Sequence, residues 1–230
     1  MRALRWLSPT ANPAAFPPVS EALTEPNGLL AAGGDLKPAR LLAAYSQGIF
    51  PWYEEGQPIL WWSPDPRAVL WPDGLKVSRS LGRALNSGRF EFRVDTAFDS
   101  VVTACAAPRR YGGGTWITAD VAHAYGHLHR LGWAHSFETW ADGALVGGLY
   151  GVAIGRVFFG ESMFARVTDA SKVALARGVD VLRERQFALI DCQVASAHIA
   201  SLGAITMPRA RFLGLLTELC QPPGTGESWR

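Results

Sequence analysis

Three polar side chains stand where the chain is otherwise apolar. Glu161 lies within Phe158-Phe159-Gly160-Glu161-Ser162-Met163-Phe164, five of whose seven residues are apolar or glycine. A carboxylate in such a run must be paired, protonated or waiting for a cation. Asp191 and Gln193 interrupt a second apolar run, Leu189-Ile190-Asp191-Cys192-Gln193-Val194. Alternation along a strand puts Leu189, Asp191 and Gln193 on one face and Ile190, Cys192 and Val194 on the other. The two runs read as facing strands. Two acids and an amide around an apolar hollow suit a cationic or amine substrate; the plainer alternative for Asp191 and Gln193 is a hydrogen-bonded polar pair beside a helix end. Cys192 points away from Asp191, and no histidine is spaced to activate it, although His198 follows closely, so a cysteine nucleophile is disfavoured.

Aromatic and basic residues form a second group of candidates. Trp52, between Pro51 and Tyr53, suits an exposed stacking platform, whereas for both Trp61 and Trp62 core packing of a small lobe is as good a reading as exposure. From Arg67 to Arg93 the chain carries Arg67, Lys76, Arg79, Arg83, Arg89 and Arg93 against only Asp73 and Glu91. Lys76, Arg79 and Arg83 fall along one side of a helix capped near Ser78, a spacing that fits either a phosphate backbone or a solvated face. Arg109-Arg110-Tyr111-Gly112-Gly113-Gly114 reads as a basic, flexible loop that lets Trp116 approach a ligand closely. Its glycines match no phosphate-loop or dinucleotide fingerprint. His123 and His127 share a helix face, but no acid is spaced to join them as a third ligand, so no metal is expected.

The elements that must position these residues can be read along the chain. At 230 residues, 48% hydrophobic and 18% charged, the chain is globular, and a net charge of +2 does not by itself call for nucleic acid. Three widely spaced cysteines encode neither a disulfide framework nor a zinc site. Pro9, Asn12 and Pro13 break any leader-like run after Met1 to Trp6, and no window is apolar enough to span a membrane, so a cytoplasmic location is expected. Residues 1–64 read as a small N-terminal lobe rich in Pro, Gly and Trp, with a helix from Pro38 toward Gly48. Residues 65–220 read as an α+β domain: helices at Phe98 to Ala106 and from Thr118 to Gly132, then a meander of three antiparallel strands through Asp142-Gly143 and Gly155-Arg156 turns. A helix from Asp169 to Arg185, the strand Phe187 to Val194, a short helix, the strand Ala204 to Met207 and a helix from Arg209 follow. Residues 221–230 read as a flexible tail.

Several motifs, in order, carry a resemblance: Glu25-Pro26-Asn27-Gly28-Leu29-Leu30, Gly48-Ile49-Phe50-Pro51-Trp52, Trp61-Trp62-Ser63-Pro64-Asp65-Pro66-Arg67, Gly114-Thr115-Trp116-Ile117, Gly160-Glu161-Ser162-Met163-Phe164, Ala170-Ser171-Lys172 and Ile190-Asp191-Cys192-Gln193. Together they resemble the leucyl/phenylalanyl-tRNA-protein transferase family, from about Phe16 to Leu216. The resemblance implies a small N-terminal α/β lobe before a GNAT-like acyltransferase domain, whose central, mostly antiparallel sheet is flanked by helices. It implies transfer of leucine, phenylalanine or, less readily, methionine from aminoacyl-tRNA to the α-amine of proteins beginning with Arg or Lys, a tag for N-degron degradation. Arg166-Val167-Thr168-Asp169-Ala170-Ser171 lacks the pyrophosphate-cradling loop of a CoA-dependent relative, so no cofactor is expected. By resemblance, Asp191 and Gln193 match the catalytic pair and Glu161 a third site residue. Trp52 and Trp116 match residues that hold the terminal adenosine, and Leu149, Phe158, Met163 and Ile190 match the side-chain pocket. Lys76, Arg79, Arg83, Arg109 and Arg110 would take the tRNA by its phosphates, and a monomer is expected. Gly178 stands where relatives keep apolar residues, which bears on the choice of amino acid by widening the pocket or weakening its helix.

Overall fold

The computed structural model describes residues 4–107, 115–221 and 229. In chain order the elements are β1 (Arg5–Leu7), β2 (Leu29–Gly33), α1 (Pro38–Ser46), β3 (Phe50–Pro51), β4 (Leu60–Trp62), β5 (Arg67–Leu70), α2 (Arg79–Leu85), β6 (Glu91–Val94) and α3 (Phe98–Ala106). There follow α4 (Ala119–Arg130), β7 (Ala134–Ala141), β8 (Ala144–Ile154), β9 (Val157–Ala165), α5 (Ala170–Glu184), β10 (Leu189–Gln193), α6 (Ala197–Ser201), β11 (Ile205–Met207) and α7 (Arg209–Leu219). The four N-terminal strands form one sheet in the order β1-β2-β4-β3, and the other seven form a second in the order β11-β5-β10-β9-β8-β7-β6.

Local chemistry accounts for most of these boundaries. The Thr118 and Ser78 side chains accept from Val121 N and Leu81 N, capping α4 and α2. The β7–β8 turn places Asp142 and Gly143 at φ +50° and +73°, the mirror-image turn that matches strand twist. Lys76, however, precedes the Ser78 cap, so only Arg79 and Arg83 of the expected three cations are on α2.

The second sheet is antiparallel except at β9–β10, where Leu189, Ile190 and Asp191 pair with Val157, Phe158 and Phe159 in parallel. The two interrupted runs are therefore neighbours within one sheet, joined through α5, and do not face each other across a gap. A parallel connection needs a crossover, and α5 supplies it. Pairing ends at Asp191–Phe159, while β9 continues to Ala165.

The sheet buries both faces. On one, Phe159, Tyr150 and Val152 join α3 and α4 residues and also Leu30, Leu41, Tyr45 and Trp61 of the N-terminal segment, so one apolar core serves both sheets. On the other, Phe137, Leu149, Phe158 and Ile190 pack under Ala174, Val179 and Leu182 of α5. Gly178 belongs to this second face: a Cβ there would meet the Phe137 ring at 2.4 Å. Its lack of a side chain lets α5 approach β7, and it does not border the site cleft. Trp229 packs at the same core, its ring 3.8 Å from that of His135 and 5.4 Å from that of Phe187, with the Arg185 guanidinium 4.9 Å from its centroid.

Candidate active site

A cleft of about 1180 Å³ opens where β9 and β10 stop pairing. Glu161, Asp191 and Gln193 line it, as do Leu149, Phe158, Met163 and Ile190. Trp52, Trp62 and Trp116 also line it. Trp61, by contrast, is fully buried and donates its Nε1–H to Gly33 O, so the adjacent indoles divide between core and cleft. Trp52 is 45% exposed, 5.6 Å from the Trp62 ring, and Trp62 Nε1 donates to its carbonyl at 2.6 Å. The Trp52 indole thus faces solvent beside the ring of Trp62.

Asp191 is fully buried, and its partner is Arg67: Nε donates to Oδ1 at 2.8 Å and a terminal nitrogen to Oδ2 at 2.6 Å. The guanidinium also donates to Gly48 O at 3.0 Å and lies 4.9 and 4.7 Å from the Phe50 and Phe212 ring centroids. Arg67 is thus a buried clamp and no part of the basic surface suggested by its place in the cationic run. Its signal in the sequence is the one that marks Glu161, a charge within an apolar strand, here before Ala68-Val69-Leu70.

Alternation along β10 holds as far as Cys192 and fails at Gln193. The β10–β5 register shifts between Asp191 and Gln193, and Gln193 takes φ +60°. Asp191 Oδ1 accepts the Gln193 backbone N–H at 2.9 Å, so the acid holds the bulge and leaves the amide side chain to others. That side chain donates through Nε2 to Glu161 Oε1 at 3.1 Å. Its carbonyl oxygen makes no hydrogen bond among the described residues.

Glu161 has partners that its sequence neighbourhood does not reveal. Tyr45 OH donates to Oε1 at 2.6 Å and Tyr125 OH to Oε2 at 3.0 Å, and the two hydroxyls also bond to each other. In the sequence both tyrosines fall on the apolar faces of α1 and α4, and their hydroxyls give no separate signal. Burial pushes the Glu161 carboxyl up to about 7; the tyrosine donors oppose the rise and the Asp191 charge adds to it. Burial and then the Glu161 charge raise both phenols well above the ordinary tyrosine value, so they remain donors.

Cys192 lines the cleft, but burial and the Asp191 charge push its thiol up to about 12, against any thiolate role. His198 is exposed at the cleft, its pKa lowered by partial burial and by Lys172. His123 and His127 are both exposed, and among the described residues no three His, Cys, Asp or Glu side chains gather as a metal site. Lys76, Arg79 and Arg83 are exposed outside the cleft lining, and the Lys76 backbone N–H bonds to the carbonyl of Leu202, which does line it. Arg109 and Arg110 lie outside the described residues. No helix among the described residues is long and apolar enough to cross a membrane.

Comparison with known proteins gives this cleft its context. Residues 69–217 match the family model described as leucyl/phenylalanyl-tRNA protein transferase, and residues 34–65 match that of its N-terminal domain. The class these matches define is an aminoacyltransferase. The leucyl/phenylalanyl-tRNA-protein transferase of Aromatoleum aromaticum is 62% identical over 212 residues, covering 92% of this chain and 90% of that protein. The protein of the same name from Nitrosospira multiformis is 58% identical over 224 residues, covering 97% and 95%. The chain belongs to the leucyl/phenylalanyl-tRNA-protein transferase family. Among solved structures, a GCN5-related N-acetyltransferase from Kribbella flavida aligns with TM-score 0.40 at 13% identity, covering 75% of this chain and 61% of that one.

Proposed function

We propose that this enzyme, acting as a monomer in the cytoplasm, moves leucine, phenylalanine or, less readily, methionine from aminoacyl-tRNA to the α-amine of proteins that begin with Arg or Lys, marking them for N-degron degradation. The observation that carries the reading is the convergence on one cleft of indoles at Trp52 and Trp116, an apolar wall at Leu149, Phe158, Met163 and Ile190, and the linked Glu161, Gln193 and Asp191. Stacking of the terminal adenosine on the two indoles contributes about 1 to 3 kcal/mol per base. The apolar wall takes the aminoacyl side chain, and because one methylene is worth only about 1 to 3 kcal/mol, selection among the three amino acids is graded.

An aminoacyl ester is already activated, so positioning supplies much of what the step needs. The Gln193 carbonyl oxygen orients the incoming amine. Its amide nitrogen is tied to Glu161 and its backbone to Asp191, which Arg67 clamps in turn. The exposed cations Lys76, Arg79 and Arg83, with Arg109 and Arg110, take the acceptor stem by its phosphates.

The test is mass spectrometry of an Arg-initiated peptide incubated with Leu-tRNA. The expected product carries one added leucine at its N-terminus, and RNase treatment of the donor abolishes it. No addition from Leu-, Phe- or Met-tRNA would overturn the proposal and leave a protein that binds charged tRNA without using it.

A further inference from the structure

We propose that Glu161 is the proton acceptor for the attacking α-amine, and that Tyr45 and Tyr125 are the positioning residues that hold its carboxylate ready to take the proton. The inference rests on the aminoacyl-transfer reading above and places the proton that this reading leaves unassigned.

An N-terminal α-amine, with an ordinary pKa of about 7.7 to 8.0, is largely an ammonium at neutral pH and must lose a proton before its lone pair can attack. Few groups in the cleft can take it. Both Asp191 oxygens are bound by Arg67, and Oδ1 also accepts the Gln193 N–H. Cys192 keeps its proton, while Glu54 and His198 are exposed side chains with no hydrogen bond to Gln193 among the described residues. Glu161 is bonded directly to the Gln193 amide that orients the amine.

Its oxygens have room for one more hydrogen. A carboxylate offers about four acceptor positions. Among the described residues, Oε1 takes Tyr45 OH and Gln193 Nε2, and Oε2 takes Tyr125 OH, which leaves one position on Oε2.

The tyrosines then supply a count of protons. Tyr45, Tyr125 and Glu161 make three mutual oxygen contacts, yet the two phenols carry only two hydrogens. With Glu161 ionised, one of the three contacts has no hydrogen in it. With Glu161 protonated on Oε2, the ring closes: Oε2–H donates to Tyr125, Tyr125 to Tyr45, and Tyr45 to Oε1. The network is complete only after Glu161 has taken up a proton. Burial, opposed by the two tyrosine donors, brings the carboxyl to about 7, which suits a base working at neutral pH.

Among the described residues, the titratable and charged groups facing Glu161 are Tyr45 from α1, Tyr125 from α4, Tyr150 from β8, and Asp191 from β10 with its Arg67 partner from β5. Tyr150 is fully buried, its hydroxyl has no hydrogen-bond partner among the described residues, and Cys105 of α3 faces it.

One ammonium proton passes to Glu161 Oε2, and the freed nitrogen lone pair forms the C–N bond at the ester carbonyl. The carbonyl re-forms as the C–O bond to the ribose breaks, and the departing ribose oxygen receives the proton from Glu161. The nitrogen gives its surplus proton to solvent, so each turnover releases one.

The experiment is the pH profile of kcat/KM for leucine transfer to an Arg-initiated peptide, measured for the parent enzyme and for Tyr45→Phe, Tyr125→Phe and Glu161→Gln. Removing one phenol takes a charge-assisted donor from the carboxylate and only a neutral hydrogen bond from the acid, so the acidic limb is expected to move up by about one pH unit. Glu161→Gln is expected to lower kcat and abolish the enzyme's share of that limb, leaving only the titration of the peptide amine. Thermal melting and charged-tRNA binding identify any variant that has not folded; for such a variant the titration of Glu161 is read in the parent enzyme by carboxyl ¹³C resonance, and a midpoint more than one unit below 7 would overturn the assignment. Acidic limbs that coincide in all four proteins, and that follow only the basicity of the peptide amine when the peptide is changed, would also overturn it. Failure of the aminoacyl-transfer reading looks different, because the parent enzyme would then transfer no leucine at any pH.

Discussion

If Glu161 is the proton acceptor, it makes stability and activity pull in opposite directions with pH. Its carboxyl rises from 4.5 to about 7 on folding, so between those values the folded protein holds a proton that the unfolded chain has released. The stabilisation is full below about pH 4.5 and is lost as pH rises through 7. Glu161→Gln has no such titration, so its stability relative to the parent is expected to improve by up to about 3 kcal/mol from pH 4.5 to pH 8, as read by denaturant unfolding at both values. A relative stability that does not change with pH would show that the Glu161 carboxyl is not raised on folding. Arg67 is the second residue on which the site depends. Arg67→Ala strands a fully buried Asp191 carboxylate and is expected to cost about 3 to 5 kcal/mol, measured by the same unfolding, whereas an ion pair at the surface would cost under about 1.

Among the elements, α5 and the β9–β10 step carry most of the design. Gly178→Ala would push a methyl into the Phe137 ring, and overpacking of about 1 to 3 kcal/mol exceeds the roughly 1 kcal/mol that alanine returns in helix propensity. A lower melting temperature is therefore expected, and an unchanged or higher one would mean that α5 moves freely. The elements were legible in the sequence wherever a local rule acts alone. Ser78 and Thr118 announce their helices because a cap needs only a nearby N–H, and Asp142-Gly143 announces its hairpin because the turn needs positive φ at both residues. The register shift after Asp191 was not legible, since it depends on a carboxylate that Arg67, over a hundred positions earlier, holds in place. Side-by-side parallel pairing of β9 and β10 was equally hidden, because alternation fixes which residues share a face and says nothing of which strand is the neighbour. The polar residues of those strands that line the cleft were legible one by one as breaks in apolar runs, but the links among them were not.

For the whole molecule, the shared core ties the N-terminal segment to the seven-stranded sheet, so Tyr45 can reach Glu161 although they are 116 positions apart. Trp229 is tied in as well, through His135, Phe187 and Arg185. Trp229→Ala is expected to cost about 1 to 2 kcal/mol in thermal or chemical unfolding, and an unchanged stability would show that its packing contributes nothing. The basic surface proposed for tRNA would act at longer range. Replacing Lys76, Arg79 and Arg83 by Gln is expected to lower the salt slope of tRNA binding by about one unit for each phosphate no longer neutralised. Transfer from a minimal aminoacyl-adenosine ester should survive that change, and an equal decline with both donors would contradict a role in holding the acceptor stem.

The most direct test of the site is the single-turnover rate of peptide formation with Leu-tRNA and Arg-peptide both saturating, compared between the parent enzyme and Gln193→Ala. If Gln193 orients the amine, the rate should fall roughly 100-fold or more while affinity for the charged tRNA stays the same. A variant that turned over as fast as the parent would place the reacting centre elsewhere in the cleft.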